Sequence, residues 1–97
     1  MEYTWDETKR TTNLQKYHLD FRDADLVYES PQKLTVPVTR ESDRESRWAD
    51  FAEVYGVVLK LVYTLLAGTV RCISLRVASQ KERRLYDEAR QNRPAHE

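Results

Sequence analysis

Two arginines set five residues apart, Arg71 and Arg76, interrupt the apolar run TVRCISLRVASQKERRLYDEA, residues 69–89. The segment opens as a strand rich in Val, Ile and Leu, then turns at Ala78-Ser79 into a helix that begins Ser79-Gln80-Lys81-Glu82. That spacing is a capping box, in which the Ser79 hydroxyl takes one free backbone N–H and the Glu82 carboxylate reaches back to another. A strand that carries two guanidiniums and ends beside a helix N-terminus is suited to holding a phosphate. The competing role is a core strand whose arginines lay their stems on apolar surface and close ion pairs. Alternation adds a condition. Residues five apart on a strand point to opposite faces, so both arginines serve one phosphate only across a bulge or at a strand end. Arg71, close to a hairpin, is the stronger of the two.

Other cations accompany them. Lys9, Asn13 and Lys16 recur at i, i+4 and i+7, which puts them on one helix face, either as a solvated stripe or as a row of donors. The 16 basic and 16 acidic side chains cancel, so no global field draws the chain to nucleic acid or to a membrane. The distribution is uneven. Residues 54–81 contain no acid, while Lys60, Arg71, Arg76 and Lys81 lie within them, so a neutral chain can present a local basic patch. Cys72 is the sole cysteine, which rules out an internal disulfide, and its neighbours Val70, Ile73 and Leu75 mark it as a small core residue. His18 and His96 are far apart in sequence, and no Gly-rich phosphate loop, nucleophile elbow or metal-ligand cluster is present. No metal and no cofactor are expected.

The elements that must position these groups read as follows. Residues 2–5 form a short strand, and Asp6 caps a polar helix running to Tyr17. Asp20 caps a second helix with Phe21, Ala24, Val27 and Tyr28 on its buried side, ended by Pro31. Leu34, Val36 and Val38 alternate as a strand that Pro37 confines to a sheet edge. Residues 40–46 are a charged loop. Three strands follow, 47–55, 57–66 and 69–77, joined by turns at Gly56 and Ala67-Gly68 into an antiparallel meander. The last helix, from Gln80 to about Gln91, packs through Leu85 and Ala89 with Tyr86 alongside, and residues 92–97 are expected to fray. The 97 residues make one domain, an α+β sandwich. The longest apolar run, 57–67, is too short to span a bilayer, and the N-terminus lacks the features of a signal peptide. A reducing, cytoplasmic setting is expected.

Taken together, several pieces resemble the BrnT toxin family. Trp5-Asp6-Glu7-Thr8-Lys9, Asn13-Leu14-Gln15-Lys16, and Phe21 with Ala24, Val27 and Tyr28 are similar to its opening. Arg47-Trp48, Val62-Tyr63-Thr64, residues 70–78, Glu82-Arg83-Arg84 and Tyr86 continue the likeness in the same order. The resemblance implies a RelE-like fold, with an antiparallel sheet, two N-terminal helices and a C-terminal helix. It implies a type II toxin, an endoribonuclease that inhibits translation and is held inactive by a BrnA-like ribbon-helix-helix antitoxin. Operator DNA is then met only through the antitoxin, and no membrane is involved. Two departures stand out. Where the family tends to read Lys-His-Gly, this chain reads Lys16-Tyr17-His18, and a Glu-Arg pair expected after Thr64 is replaced by Leu65-Leu66. The second departure supports an alternative, a weakened or inactive homologue that serves as antitoxin partner and co-repressor.

RNA can be cut without a metal if a base takes the 2′-hydroxyl proton, cations stabilise the charge on phosphorus and an acid protonates the leaving 5′-oxygen. Arg71 and Arg76 are the candidates for the charge, and Lys9, Lys16, Arg47 and Ser74 for gripping RNA. His18 has the intrinsic pKa of an acid or base, although a lone histidine between helices is more often a cap or surface residue. Tyr63 could give a proton or stack on a base, although an aromatic in the best strand is more often core.

Overall fold

A computed structural model of the chain describes residues 1–92. Alternating apolar residues and two glycine turns produce the long meander: β3 (Trp48–Val54), β4 (Val57–Leu66) and β5 (Thr69–Val77). Both turns have two consecutive residues at positive φ, Tyr55-Gly56 (50° and 83°) and Ala67-Gly68 (51° and 80°). That geometry matches the right-handed twist of the strands it joins. β2 (Leu34–Pro37) pairs antiparallel with β3 and occupies one edge, where Pro37 costs no interior hydrogen bond.

The sheet is mixed rather than wholly antiparallel. β1 (Glu2–Thr4) runs parallel to β5 at the other edge, giving the order β1-β5-β4-β3-β2. β1 reaches its partner through most of the chain instead of a hairpin, so no tight turn dictates its direction. The α+β architecture otherwise agrees with expectation and is compatible with a RelE-like arrangement.

α1 (Glu7–Tyr17) starts at Asp6, whose carboxylate accepts from the Thr8 and Lys9 N–H groups at 2.8 and 3.1 Å. The expected second helix is divided. Bonds of i→i+3 type close a 3-10 turn over Phe21–Asp23 before a four-residue α2, Asp25–Tyr28. Phe21, Ala24 and Val27 still point inward, into a core with Ala52, Leu59, Leu61, Val70, Cys72 and Leu75. α3 (Gln80–Gln91) packs on the opposite sheet face, and its capping box is formed as expected. Its anchor is Tyr86, fully buried among Ala49, Phe51 and Val58, whereas Leu85 is half exposed. Adjacent helical residues cannot both face inward. The face that docks runs Glu82, Tyr86, Ala89, and the Tyr86 hydroxyl donates to the Gln32 carbonyl at 3.1 Å. The expected tail, including His96, lies outside the described residues except for Asn92, whose N–H closes the last turn on Glu88.

Asn13 binds α1 to the sheet. β1 ends beside Arg71, so the outer edge of β5 beyond that point has no neighbouring strand. The buried Asn13 amide takes that place: Nδ2 donates to the Leu75 carbonyl at 2.8 Å and Oδ1 accepts from the Leu75 N–H at 3.0 Å. Nδ2 also donates to the Leu19 carbonyl at 3.0 Å. Truncation to Asn13→Ala would strand those buried groups at about 1–3 kcal/mol each. The variant should show a lower urea midpoint than the parent with an unchanged slope.

Candidate functional site

On β4, uninterrupted pairing with β3 keeps strict alternation, so Val58, Lys60, Val62 and Thr64 share one face and Leu59, Leu61 and Tyr63 the other. β5 breaks step. Val62 pairs with Ser74 but Tyr63 pairs with Cys72, which leaves Ile73 as an extra residue in a β-bulge. Arg76 pairs with Lys60 and Arg71 with Thr64, so the bulge brings both arginines, with Ser74, to the face that α3 partly covers.

Their surroundings differ. Arg76 lies in a bidentate pair with Glu82, both bonds at 2.9 Å, and also donates to the Val77 carbonyl. Lys60 adds a third cationic bond to the same carboxylate at 3.0 Å. The Arg76 fork is therefore committed to holding α3 against the sheet, which corrects its assignment as a phosphate contact. It also stands about 15 Å from Arg71 along the strand, too far to share one phosphate. The Arg71 side chain makes no hydrogen bond or ion pair among the described residues. It lines an open hollow of about 600 Å³ with Thr4, Thr69, Leu66 and Glu2. Leu66, at a position where charge was expected, thus forms an apolar wall beside Arg71, while Leu65 alternates to the other side.

A second hollow of about 280 Å³ runs between α1 and β5, lined by Lys9, Thr12, Lys16, Tyr17, Ile73 and Ser74. Three of the residues read from the sequence as contacts, Lys9, Lys16 and Ser74, meet there, one step along β5 from Arg71. Asn13, read as part of the same stripe, is instead the buried clamp. Arg47, immediately before β3, is anchored through its backbone to Val38 and Thr39, and its Nε lies 3.5 Å from Asp43.

The two proton-transfer candidates are not in either hollow. Tyr63 is buried on the opposite face, edge-on to Tyr28, and its hydroxyl donates to the buried Asp50 carboxylate at 3.0 Å. Burial and that carboxylate raise its pKa strongly, so it is a core residue and not a proton donor to a ligand. His18 is exposed and caps α1 in the left-handed region at φ 60°. It adopts the conformation usual for glycine at a helix end, consistent with its place in Lys16-Tyr17-His18. Tyr17, one residue earlier, lines the groove, and Lys16 Nζ lies over its ring at 5.2 Å from the centroid. The helical repeat could have found it, because Tyr17 follows Asn13 by four. Cys72 is buried with its thiol pKa pushed up to about 12, as befits a core residue.

Among the described residues, no group of three His, Cys, Asp or Glu side chains could hold a metal ion, and no helix is long and apolar enough to cross a membrane. A family model described as the ribonuclease toxin BrnT of type II toxin–antitoxin systems matches residues 5–82, which takes in α1, β2 to β5 and the cap of α3. No curated protein matches the chain.

The ion pairs around the site set a pH dependence. Hydrogen bonds from Arg76, then the Ser79 N–H and Lys60, hold the Glu82 carboxyl far below the usual range, against the effect of burial. Arg10, then the Arg22 N–H, lowers Asp20 to about 2. Carboxylates with depressed folded pKa values stabilise fully above their unfolded values near about 4 and lose that contribution as pH falls through the folded ones. The melting temperature should therefore drop between about pH 5 and pH 2. Glu82→Gln should melt lower at neutral pH and show a shallower acid limb in the same scans.

Proposed function

The chain belongs to the BrnT ribonuclease toxins of type II toxin–antitoxin systems, and on that footing we propose that it is a metal-independent endoribonuclease whose working centre is Arg71. Membership brings a protein antitoxin as partner and RNA as target. The finer reading is that the enzyme cuts RNA in the cytoplasm, stops translation and is neutralised by a BrnA-like ribbon-helix-helix protein, through which alone it meets operator DNA.

The observation that carries this reading is the Arg71 guanidinium, which borders an open hollow and has no side-chain partner among the described residues. In cleavage the 2′-oxygen forms a bond to phosphorus, the bond to the 5′-oxygen breaks, and negative charge builds on the non-bridging oxygens. A preorganised guanidinium stabilises that charge more than it stabilises the ground state. Lys9, Lys16 and Ser74 hold the neighbouring backbone along the α1–β5 groove. Of His18, Tyr63 and Tyr17 only Tyr17 lines that groove, and it stands at the Arg76 end, out of reach of a phosphate held by Arg71. The supporting role of Arg76 is to fix α3.

A second reading has its own observation. Leu66 walls the Arg71 hollow where the family pattern carries charge, and Leu65 and Leu66 are both about half exposed. A binding-only homologue would use those leucines against its antitoxin and act as co-repressor. The two readings part on simple measurements. The enzyme reading requires growth arrest on expression alone and RNA shortening that persists in EDTA, whereas the binding-only reading requires a tight complex with the neighbouring gene product and intact RNA at high protein concentration. Under the first, Arg71→Ala should cut the cleavage rate about 100- to 1,000-fold while leaving the antitoxin complex and the melting temperature unchanged. Arg76→Ala should instead lower the melting temperature.

A further inference from the structure

Thr64 carries a hydroxyl for which the fold provides no partner. The residue is 1% exposed, and its Oγ1 makes no hydrogen bond among the described residues. A buried hydroxyl in that state is less favourable than a methyl group of the same shape, so packing does not explain it. Register shows what flanks it. Arg71 is its partner on β5, and because Trp48 pairs with Tyr63, Arg47 comes next to Thr64 on the β3 side. Alternation puts all three on the face described above.

The same lack recurs on both sides. Arg47 Nε is also buried without a hydrogen-bond partner, its nearest carboxylate oxygen being Asp43 Oδ1 at 3.5 Å. Register thus sets two guanidiniums on the strands either side of a hydroxyl. Arg47 keeps a long ion pair to Asp43, while Arg71 and Thr64 have no side-chain partner among the described residues. An acceptor bearing several oxygens would serve all three. Guanidinium forks match the paired oxygens of a phosphodiester, and a hydroxyl between them can donate to a third position.

We propose that Arg47, Thr64 and Arg71 form a row that seats one backbone phosphate of RNA, with the Thr64 hydroxyl donating to a non-bridging oxygen. RNA as the source of that phosphate rests on the ribonuclease reading, whereas the oxyanion chemistry does not. Thr64 is a positioning residue here: it fixes where the phosphate lies relative to Arg71. Its hydroxyl is shielded from water in the free protein, so the surrounding side chains part as the phosphate enters, a movement open to long arginine stems.

The test uses the full chain, an uncleavable oligonucleotide with 2′-deoxy sugars, and its all-ribose counterpart. Thr64→Val keeps the shape and removes the donor, while Thr64→Ser keeps the donor. Binding of the deoxy probe, read by fluorescence anisotropy, should weaken about tenfold in Thr64→Val and stay near the parent value in Thr64→Ser. The melting temperature of Thr64→Val should hold or rise, because an unpartnered hydroxyl is gone. With the ribose oligonucleotide, the KM of Thr64→Val should rise by a similar factor. Equal affinity of parent and Thr64→Val for the probe would overturn the row, and so would a loss that tracks a fall in melting temperature. The outcomes separate the two claims: a parent that binds the deoxy probe through Thr64 yet leaves RNA intact keeps the row and removes the ribonuclease, while a parent that cuts RNA with a KM untouched by Thr64→Val does the reverse.

Discussion

An antiparallel ladder repeats every two residues, so the identity of each exposed side chain depends on an unbroken count. In β5 the count is broken at Ile73, and everything N-terminal to it changes face relative to Arg76. Without that residue Arg71 would point into the core beneath α2, where a lone guanidinium could not be tolerated. With it, Cys72 and Val70 fill the core and Arg71 turns outward beside Thr64. The bulge thus satisfies two demands at once, an apolar interior and a cationic outer face, within one strand of nine residues.

Charge pairing then decides which of the outward cations can meet a ligand. Arg10 is held by Asp20 and Glu7, Lys33 donates to Asp50, and Arg76 with Lys60 shares Glu82. The Arg10 pairs tie α1 to the turn that follows it, the others tie a loop and α3 to the sheet, and most are partly buried, where solvent screens them less than surface pairs. Lys9, Lys16 and Arg71 lie outside that pairing scheme and border the two adjoining hollows. A chain of zero net charge thus still presents available positive charge along these two hollows.

Local chemistry made much of this legible beforehand. Both type I′ turns, the Asp6 cap, the Ser79 capping box and the edge position of Pro37 are decided by residues a few positions apart, and each was read from the sequence. What escaped depends on distant partners. Asn13 resembled its lysine neighbours in a polar stripe, yet its amide bonds a residue 62 positions away. Tyr86 replaced Leu85 as the anchor because Glu82 and the strand face, rather than hydrophobicity, set the rotation of α3. Tyr63 was attractive as a chemical group and proved to be the partner of the buried Asp50. The bulge could be named as a requirement, but one sequence cannot say which residue the ladder will skip.

Leu66 bears on how strongly Arg71 can act. Replacing a charged pair with leucine removes hydrogen-bonding groups from the wall of the hollow, which argues against activity if those groups took part in proton transfer. The same change lowers the polarity around Arg71. In a less polar setting a guanidinium–phosphate contact is stronger than in water, and Glu2, the one carboxylate among the described residues that borders the hollow, makes no ion pair with Arg71. Glu82 illustrates how a carboxylate competes, five residues beyond the end of β5, where it occupies the Arg76 fork. An apolar neighbour in place of an acid is therefore compatible with tighter phosphate binding at Arg71. The leucines therefore bear on the proton-transfer half of catalysis and not on recognition of the backbone.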